Sequence, residues 1–317
     1  MKMQDMNSTQ VTVFFLLQLW DSPTGRIVFI MMFTIIYILT FSGNLIIIII
    51  CRFEKNLHTP MYYFLSHLAA LEMCYISVTV PKMVHSSAMG NSSISFVACL
   101  TQLYFFGSLG STECFLLAIM GYDRFLAVCK PLHYHSLMTS RICNFLVVGT
   151  WVVGSIYGVI HTANTFRLQF CGAKVLNHYF CDILPLLKIS CIDTYINELT
   201  VFAVGGFLMI GCFVLICGSY MQILFSVFSV PKGGGRMKAF STCVSHLVVV
   251  LLFYGSGCFM YMRPKSNLLA EKEWLLSIFY TSITPLLNPI IYSLRNKDIR
   301  KALHVILNSH LCKFSFA

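Results

Sequence analysis

The chain predicts an all-α membrane protein, a seven-transmembrane helix bundle followed by a short C-terminal amphipathic helix. Composition is the first reason. Of 317 residues, 57% are hydrophobic and only 11% are charged, and the mean hydropathy is +0.76. An average soluble domain carries about 25% charged residues, so this sequence lacks the polar coat of a soluble fold and its surplus apolar surface faces lipid. Block length is the second reason. The apolar residues gather into seven blocks, at about 27–51, 61–84, 99–128, 142–162, 197–228, 238–262 and 275–294, each near the roughly 20 residues that carry a helix across hydrocarbon. Charge is the third. The segments after blocks one, three and five, with the C-terminus, hold 13 bases and 3 acids, against 9 bases and 7 acids on the other side. The basic side is expected to be cytoplasmic and the N-terminus outside.

The elements follow in order. Val11–Trp20 is apolar, but ten residues cannot span. It resembles a short signal-peptide core behind Lys2, yet no small-residue cleavage pattern follows, so it reads as part of the mature N-terminus. Asn7-Ser8-Thr9 is a glycosylation acceptor on the expected outer side, while Asn91-Ser92-Ser93 lies too close to the membrane to be used. Block length and the lack of alternation exclude a closed β-barrel. The connection at about 163–196 carries three cysteines and is too long to lie unstructured in a compact protein. Around Pro231-Lys232-Gly233-Gly234-Gly235 the sequence predicts a short, flexible inner loop. Within Asn296–Asn308, Ile299, Ala302, Leu303, Val305 and Ile306 share one face with bases between them, which suits a helix lying on the inner membrane surface. The chain thus divides into an extracellular N-terminus (1–26), a seven-span domain (27–294) and a cytoplasmic helix and tail (295–317). The net charge of +10 is a topology signal and implies no nucleic acid.

Of the fourteen cysteines, those such as Cys114, Cys212 and Cys217 lie within spans and serve as small apolar fillers. Cys99, Cys171, Cys181 and Cys191 fall on the outer, oxidising side, where an even number reads as two disulfides with three pairings open. A metal site joining these thiols to His161 or His178 is the rival, but the spacing matches no common zinc pattern.

Polar residues inside the blocks carry the functional signal. Cys99 and Asp123 are 24 residues apart, about 36 Å of helix, so Cys99 marks the outer end of span three and Asp123-Arg124 the inner end. Glu113 falls near mid-membrane, as does Glu72 of span two. Carboxylates at that depth face the bundle interior. Pro285 and Asn288-Pro289 interrupt span seven, and each proline frees a carbonyl that interior groups must satisfy. Glu72, Glu113 and Asn288 therefore suggest a hydrated polar pocket holding a cation such as sodium. Helix-to-helix glue is the plainer reading, but serine, threonine and asparagine usually suffice for that. A transporter would also place acids here, but with a repeat symmetry that the halves lack.

Six blocks carry a family resemblance. They are Gly43-Asn44; Leu57-His58-Thr59-Pro60-Met61-Tyr62-Tyr63-Phe64-Leu65; Met120-Gly121-Tyr122-Asp123-Arg124-Phe125-Leu126-Ala127-Val128-Cys129 with Pro131-Leu132-His133-Tyr134; Ser219-Tyr220; Lys238-Ala239-Phe240-Ser241-Thr242-Cys243-Val244-Ser245-His246-Leu247; and Pro285-Leu286-Leu287-Asn288-Pro289-Ile290-Ile291-Tyr292-Ser293-Leu294-Arg295-Asn296. In this order, on seven spans, they resemble an odorant receptor of the rhodopsin-class G-protein-coupled receptors. The resemblance implies a multi-pass plasma-membrane receptor, not an enzyme, whose partners are a small volatile ligand and a stimulatory, olfactory heterotrimeric G protein that raises cyclic AMP. It implies disulfides Cys99–Cys181 and Cys171–Cys191, and a switch in which Arg124, held by Asp123, meets Tyr220 and Tyr292 when span six moves. It places the ligand between spans three, five, six and seven, at Phe106, Gly107, Gly110, Ser111, Phe202, Gly205, Gly206, Tyr254, Cys258, Tyr261 and Thr281. That lining suits a small apolar molecule with one hydrogen-bonding group. No acid stands at Phe106, where amine receptors carry one. The chain departs from the family pattern at Gly121 (usually Ala), Phe125 (usually Tyr) and Glu72 (usually Asp).

Overall fold

The computed structural model describes residues 11–20, 22–172, 174–229, 234–261, 273–295 and 299–303. Among them, seven helices are long and apolar enough to cross a membrane. They are α1 (Pro23–Phe53), α2 (Pro60–Met89), α3 (Phe96–Cys129), α4 (Ser140–Phe166), α5 (Tyr195–Ser229), α6 (Gly234–Tyr261) and α7 (Glu273–Arg295). Their starts follow local chemistry. Ser22, Ser95 and Thr139 each accept a hydrogen bond from a first-turn amide, at Gly25, Ala98 and Ile142. Pro23 and Pro60 occupy first-turn positions that need no amide donor. Gly90 ends α2 in the left-handed region at φ 62°. α5 and α7 each contain a π turn, at Val201–Gly205 and Phe279–Ile283, beside the outer half of the bundle.

The bundle packs around α3, which is buried along most of its length. Its closest neighbour is α4, and the reason is a pair of glycines one turn apart. A Cβ at Gly154 would stand 2.8 Å from the Ser108 carbonyl oxygen and 3.1 Å from the Thr112 amide nitrogen. At Gly158 it would stand 2.9 Å from the Tyr104 carbonyl oxygen. The two backbones therefore touch along a small-residue seam, as membrane helices do when lipid offers no hydrophobic force to join them. α1 and α7 meet similarly at Gly43, where a Cβ would lie 3.3 Å from the Pro289 ring. There Asn44 donates to the Pro285 carbonyl at 3.4 Å, the acceptor that Pro289 leaves without a helical donor. The free carbonyl expected from the sequence is satisfied by span one.

The outer end differs from a plain bundle. Val13–Leu16 (β1) pairs antiparallel with Ser93–Ser95 (β2) and parallel with Val175–Leu176 (β3), giving the order β2-β1-β3. Phe14 and Leu16 point inward and are buried against Ile94, Phe170 and Leu187. The apolar stretch before span one is thus a strand of an outer cap. Both disulfides, Cys99–Cys181 and Cys171–Cys191, bind this cap, with Cα separations of 5.5 Å. With these four thiols oxidised, none of them is left to join His161 or His178 in a metal site. At the inner end, residues 299–303 are helical, with Ile299 and Ala302 buried and Arg300 and Lys301 exposed. Asn7 and most of the expected loop at Pro231 lie outside the described residues.

Gly154→Ala is expected to reduce surface expression and thermal stability, because backbone on α3 cannot yield to the added carbon. Gly211→Ala, with nothing within 4 Å of the added atom, is expected to be neutral or to stabilise α5 by up to about 1 kcal/mol. Flow cytometry and thermal unfolding of the solubilised protein measure both.

Candidate functional site

Three features are strung along the bundle. The outermost is a cavity of about 250 Å³ beneath the loop that joins α4 to α5. Of the residues expected at a ligand site, Phe106, Gly107, Gly110, Ser111, Phe202, Gly205 and Gly206 line it. Tyr254, Cys258 and Thr281 do not. The Tyr254 hydroxyl turns to the Cys114 carbonyl at 3.1 Å, and Cys258 is exposed on the bundle exterior. Thr281 is bonded at 2.7 Å to the Tyr179 hydroxyl of the loop. The Tyr261 side chain lies outside the described residues.

The cavity is displaced toward α4 relative to the expected position between spans three, five, six and seven. Tyr157, Gly158 and His161 of α4 line it, with Leu208 and Met209 of α5, Phe253 and Gly257 of α6, and Tyr280 of α7. The glycine seam explains the shift, because it draws α4 against α3 and brings its outer turns to the cavity edge. The loop supplies Asp182 and Ile183 as well. Sequence reasoning missed these. The i, i+4 glycines Gly154 and Gly158, followed by His161 within an apolar block, are the signal that could have found the α4 wall.

The loop is held as a rigid cover. Cys181 donates its amide to Gln102 at 2.9 Å, and Gln102 donates to the Val78 carbonyl at 2.8 Å. Asp182 accepts from Ile183 at 2.8 Å and starts the short helix Ile183–Lys188. Phe180 packs on Phe106 with centroids 4.7 Å apart. His178 is fully buried between Tyr179 and Phe180, and burial foremost, with Lys188 adding to it, pushes the imidazole down to about 3.

At mid-depth, Asn288 donates a hydrogen bond to Glu72, and the Glu113 carboxyl stands beside the same group. All three residues are buried. Glu72 Oε2, Glu113 Oε1 and Asn288 Oδ1 have no hydrogen-bond donor. The fold brings these residues of α2, α3 and α7 together in one buried polar cluster.

At the inner end, Asp123 and Arg124 form an ion pair, and the Tyr134 hydroxyl donates to the other Asp123 oxygen at 2.8 Å. Burial first, then Asp123, raises the Tyr134 phenol above its ordinary range. Tyr220 and Tyr292 are both buried and neither is bonded to Arg124. Instead the Tyr220 hydroxyl meets His246 Nδ1 at 2.8 Å and the Cys243 carbonyl at 3.1 Å. His246 Nε2 lies 3.2 Å from the Leu117 carbonyl. A carbonyl only accepts, so Nε2 carries the imidazole proton, and the single Tyr220 hydroxyl proton is shared between the acceptors Nδ1 and the Cys243 carbonyl. Arg124, His246 and Tyr292 border a void of about 20 Å³. His246, within the Lys238–Leu247 block, bonds α6 to α3. Gly121, beside it, has room for the family's alanine, whose Cβ would lie 3.7 Å from the His246 ring.

Seven spanning helices, a covered outer cavity and a paired arginine at the inner end define a membrane receptor of the seven-helix, G-protein-coupled kind. The family model described as "Olfactory receptor" matches residues 33–310. The chain is 46% identical over 308 residues to olfactory receptor 5AP2 of mouse, covering 97% of each chain. It is 45% identical to human olfactory receptor 10G7, covering 95% of this chain and 97% of that one. It is 45% identical to mouse olfactory receptor 1M1, covering 96% and 98%. The chain belongs to the olfactory receptor family, and it is a multi-pass membrane receptor, not an enzyme.

His178 protonates near 6.5 in the unfolded chain and only near 3 in the folded one. Between these values the unfolded state binds the extra proton, so stability is expected to fall as pH drops through that window. Thermal unfolding at about pH 7 and about pH 5 measures it, and His178→Asn is expected to flatten the dependence.

Proposed function

We propose that this chain is an odorant receptor whose N-terminus lies outside the plasma membrane, with Asn7 glycosylated. It binds small volatile, mostly apolar molecules in the outer cavity and activates a stimulatory, olfactory heterotrimeric G protein, raising cyclic AMP. The observation that carries this reading is the arrangement on α3. Phe106 and Ser111 line the cavity at one end, and the Asp123–Arg124 pair stands at the other, basic end. One rigid helix thus spans ligand side and effector side.

The mechanism is a population shift, in which a ligand must bind the active arrangement more tightly than the resting one. At rest, α6 is bonded to α3 at two levels, by Tyr254 to Cys114 and by His246 to Leu117. Movement of α6 breaks the inner contact and frees the Tyr220 hydroxyl. Arg124 then leaves Asp123 for Tyr220 and Tyr292, across the void it already borders. The three donor-less oxygens of Glu72, Glu113 and Asn288 suit a hard monovalent cation such as sodium. Bound in the resting arrangement, the cation would stabilise it by mass action.

Two outcomes test this. In cells expressing the chain, volatile compounds are expected to raise cyclic AMP. Arg124→Ala is expected to cut that response at least about tenfold at equal surface level, and an intact response would refute the mechanism. Replacing sodium with choline is expected to raise basal cyclic AMP in the wild type and to do nothing in Glu113→Gln.

A further inference from the structure

His161 stands in the cavity wall with no hydrogen-bond partner. It lies on the outer part of α4, is 5% exposed, and neither ring nitrogen is bonded. Its ring packs on Tyr157, with centroids 4.2 Å apart. Buried polar groups left unpaired are costly and rare in folded proteins, and each calls for an explanation. The neighbouring polar groups do not supply one. Ser111 donates to carbonyls of its own helix and of Gly154. Thr165 donates to the His161 backbone carbonyl and leaves the ring alone. Asp182 is engaged at the start of its own helix.

We propose that His161 is the polar anchor of the cavity, and that the ligands it takes are neutral hydroxyl compounds, alcohols or phenols with an otherwise apolar body. This deepens the odorant-receptor reading above and rests on it. A neutral imidazole offers one donor and one acceptor. A hydroxyl group answers either nitrogen, because it both donates and accepts. A ketone, ester or ether only accepts, and a hydrocarbon does neither. A carboxylic acid would place a second negative charge in a cavity that Asp182 already borders, with no lysine or arginine among the described residues lining it. Phe106, Val201, Phe202, Leu208 and Met209 accept the apolar body. About 250 Å³ falls below the roughly 300–1,000 Å³ of sites that take drug-sized ligands, so that body is small.

The test is a matched panel in a cyclic-AMP assay on surface-labelled cells expressing the full chain. An aliphatic set holds octanol, methyl octyl ether, octanal, octanoic acid, octylamine and octane, repeated at shorter chain lengths. An aromatic set holds ethylphenol, ethylanisole and ethylbenzene. The hydroxyl member of a set is expected to be at least about tenfold more potent than its ether and hydrocarbon partners. His161→Phe is expected to erase that preference while sparing the response to the hydrocarbon, and His161→Gln, which keeps a donor and an acceptor, to retain part of it. The wild-type ranking stands even where a variant fails to reach the surface. An ether, aldehyde or acid that matches its alcohol overturns the inference and leaves the odorant-receptor reading intact. A better response to the amine overturns it in favour of Asp182. Silence to every hydroxyl compound overturns it as well, and silence to every class also counts against the odorant-receptor reading.

Discussion

Helix α3 is held at both ends, and the polar groups it carries between them must find partners inside the bundle, because hydrocarbon offers none. Cys99–Cys181 fixes the outer end to the covering loop. Asp123, Arg124 and Tyr134 close on one another at the inner end. Between these points Gln102 reaches α2 and the loop, Ser111 reaches α4, and Glu113 meets Glu72. Two α3 carbonyls also accept from α6, from Tyr254 and His246. Polar contacts thus tie α2, α6 and the covering loop to α3, and α1 to the carbonyl that Pro289 frees on α7, while the glycine seam sets α4.

This arrangement joins the cavity to the inner end without a separate relay. Cys114 lines the cavity, and its carbonyl is the acceptor for Tyr254 on α6. One turn inward, Leu117 accepts from His246, which in turn holds Tyr220 of α5. Under the proposed mechanism, a molecule seated against α3 and α6 biases the same contacts that keep Tyr220 away from Arg124. The glycine seam matters here too. Gly154 and Gly158 press α4 onto α3, and the outer turns of α4 stand in the cavity wall with the His161 imidazole.

The legible part of the site was the part set by local depth. Residues at the ends and centre of an apolar block take their place from a rise of about 1.5 Å per residue, so Glu72, Glu113, Asn288 and Asp123-Arg124 were assigned their levels from spacing alone. The cavity lining was half legible, since the expected residues of α3 and α5 line it, whereas Tyr254, Cys258 and Thr281 do not. Facing depends on helix rotation, and rotation is decided by contacts between helices. The π turns of α5 and α7 change that rotation in the outer half of the bundle. The strand at Val13–Leu16 was illegible for a different reason: a four-residue strand owes its existence to partners about 80 and 160 residues away in sequence, at Ser93–Ser95 and Val175–Leu176.

By itself, the sequence determined seven spans, their orientation signal, the level of each buried charge and the family. The spans, the signal and the levels follow from length, hydropathy and charge, which a bilayer reads one segment at a time, and the family follows from the six motif blocks. The tertiary structure alone decided which helix forms the fourth wall of the cavity, where the strand before span one pairs, and which buried groups go unsatisfied. Those outcomes depend on how closely backbones approach, and that is set by pairs such as Gly154 against Ser108 that no single segment contains. His161 shows the difference: its depth could be counted from the sequence, while its unbonded place in the cavity wall exists only once α4 is packed on α3.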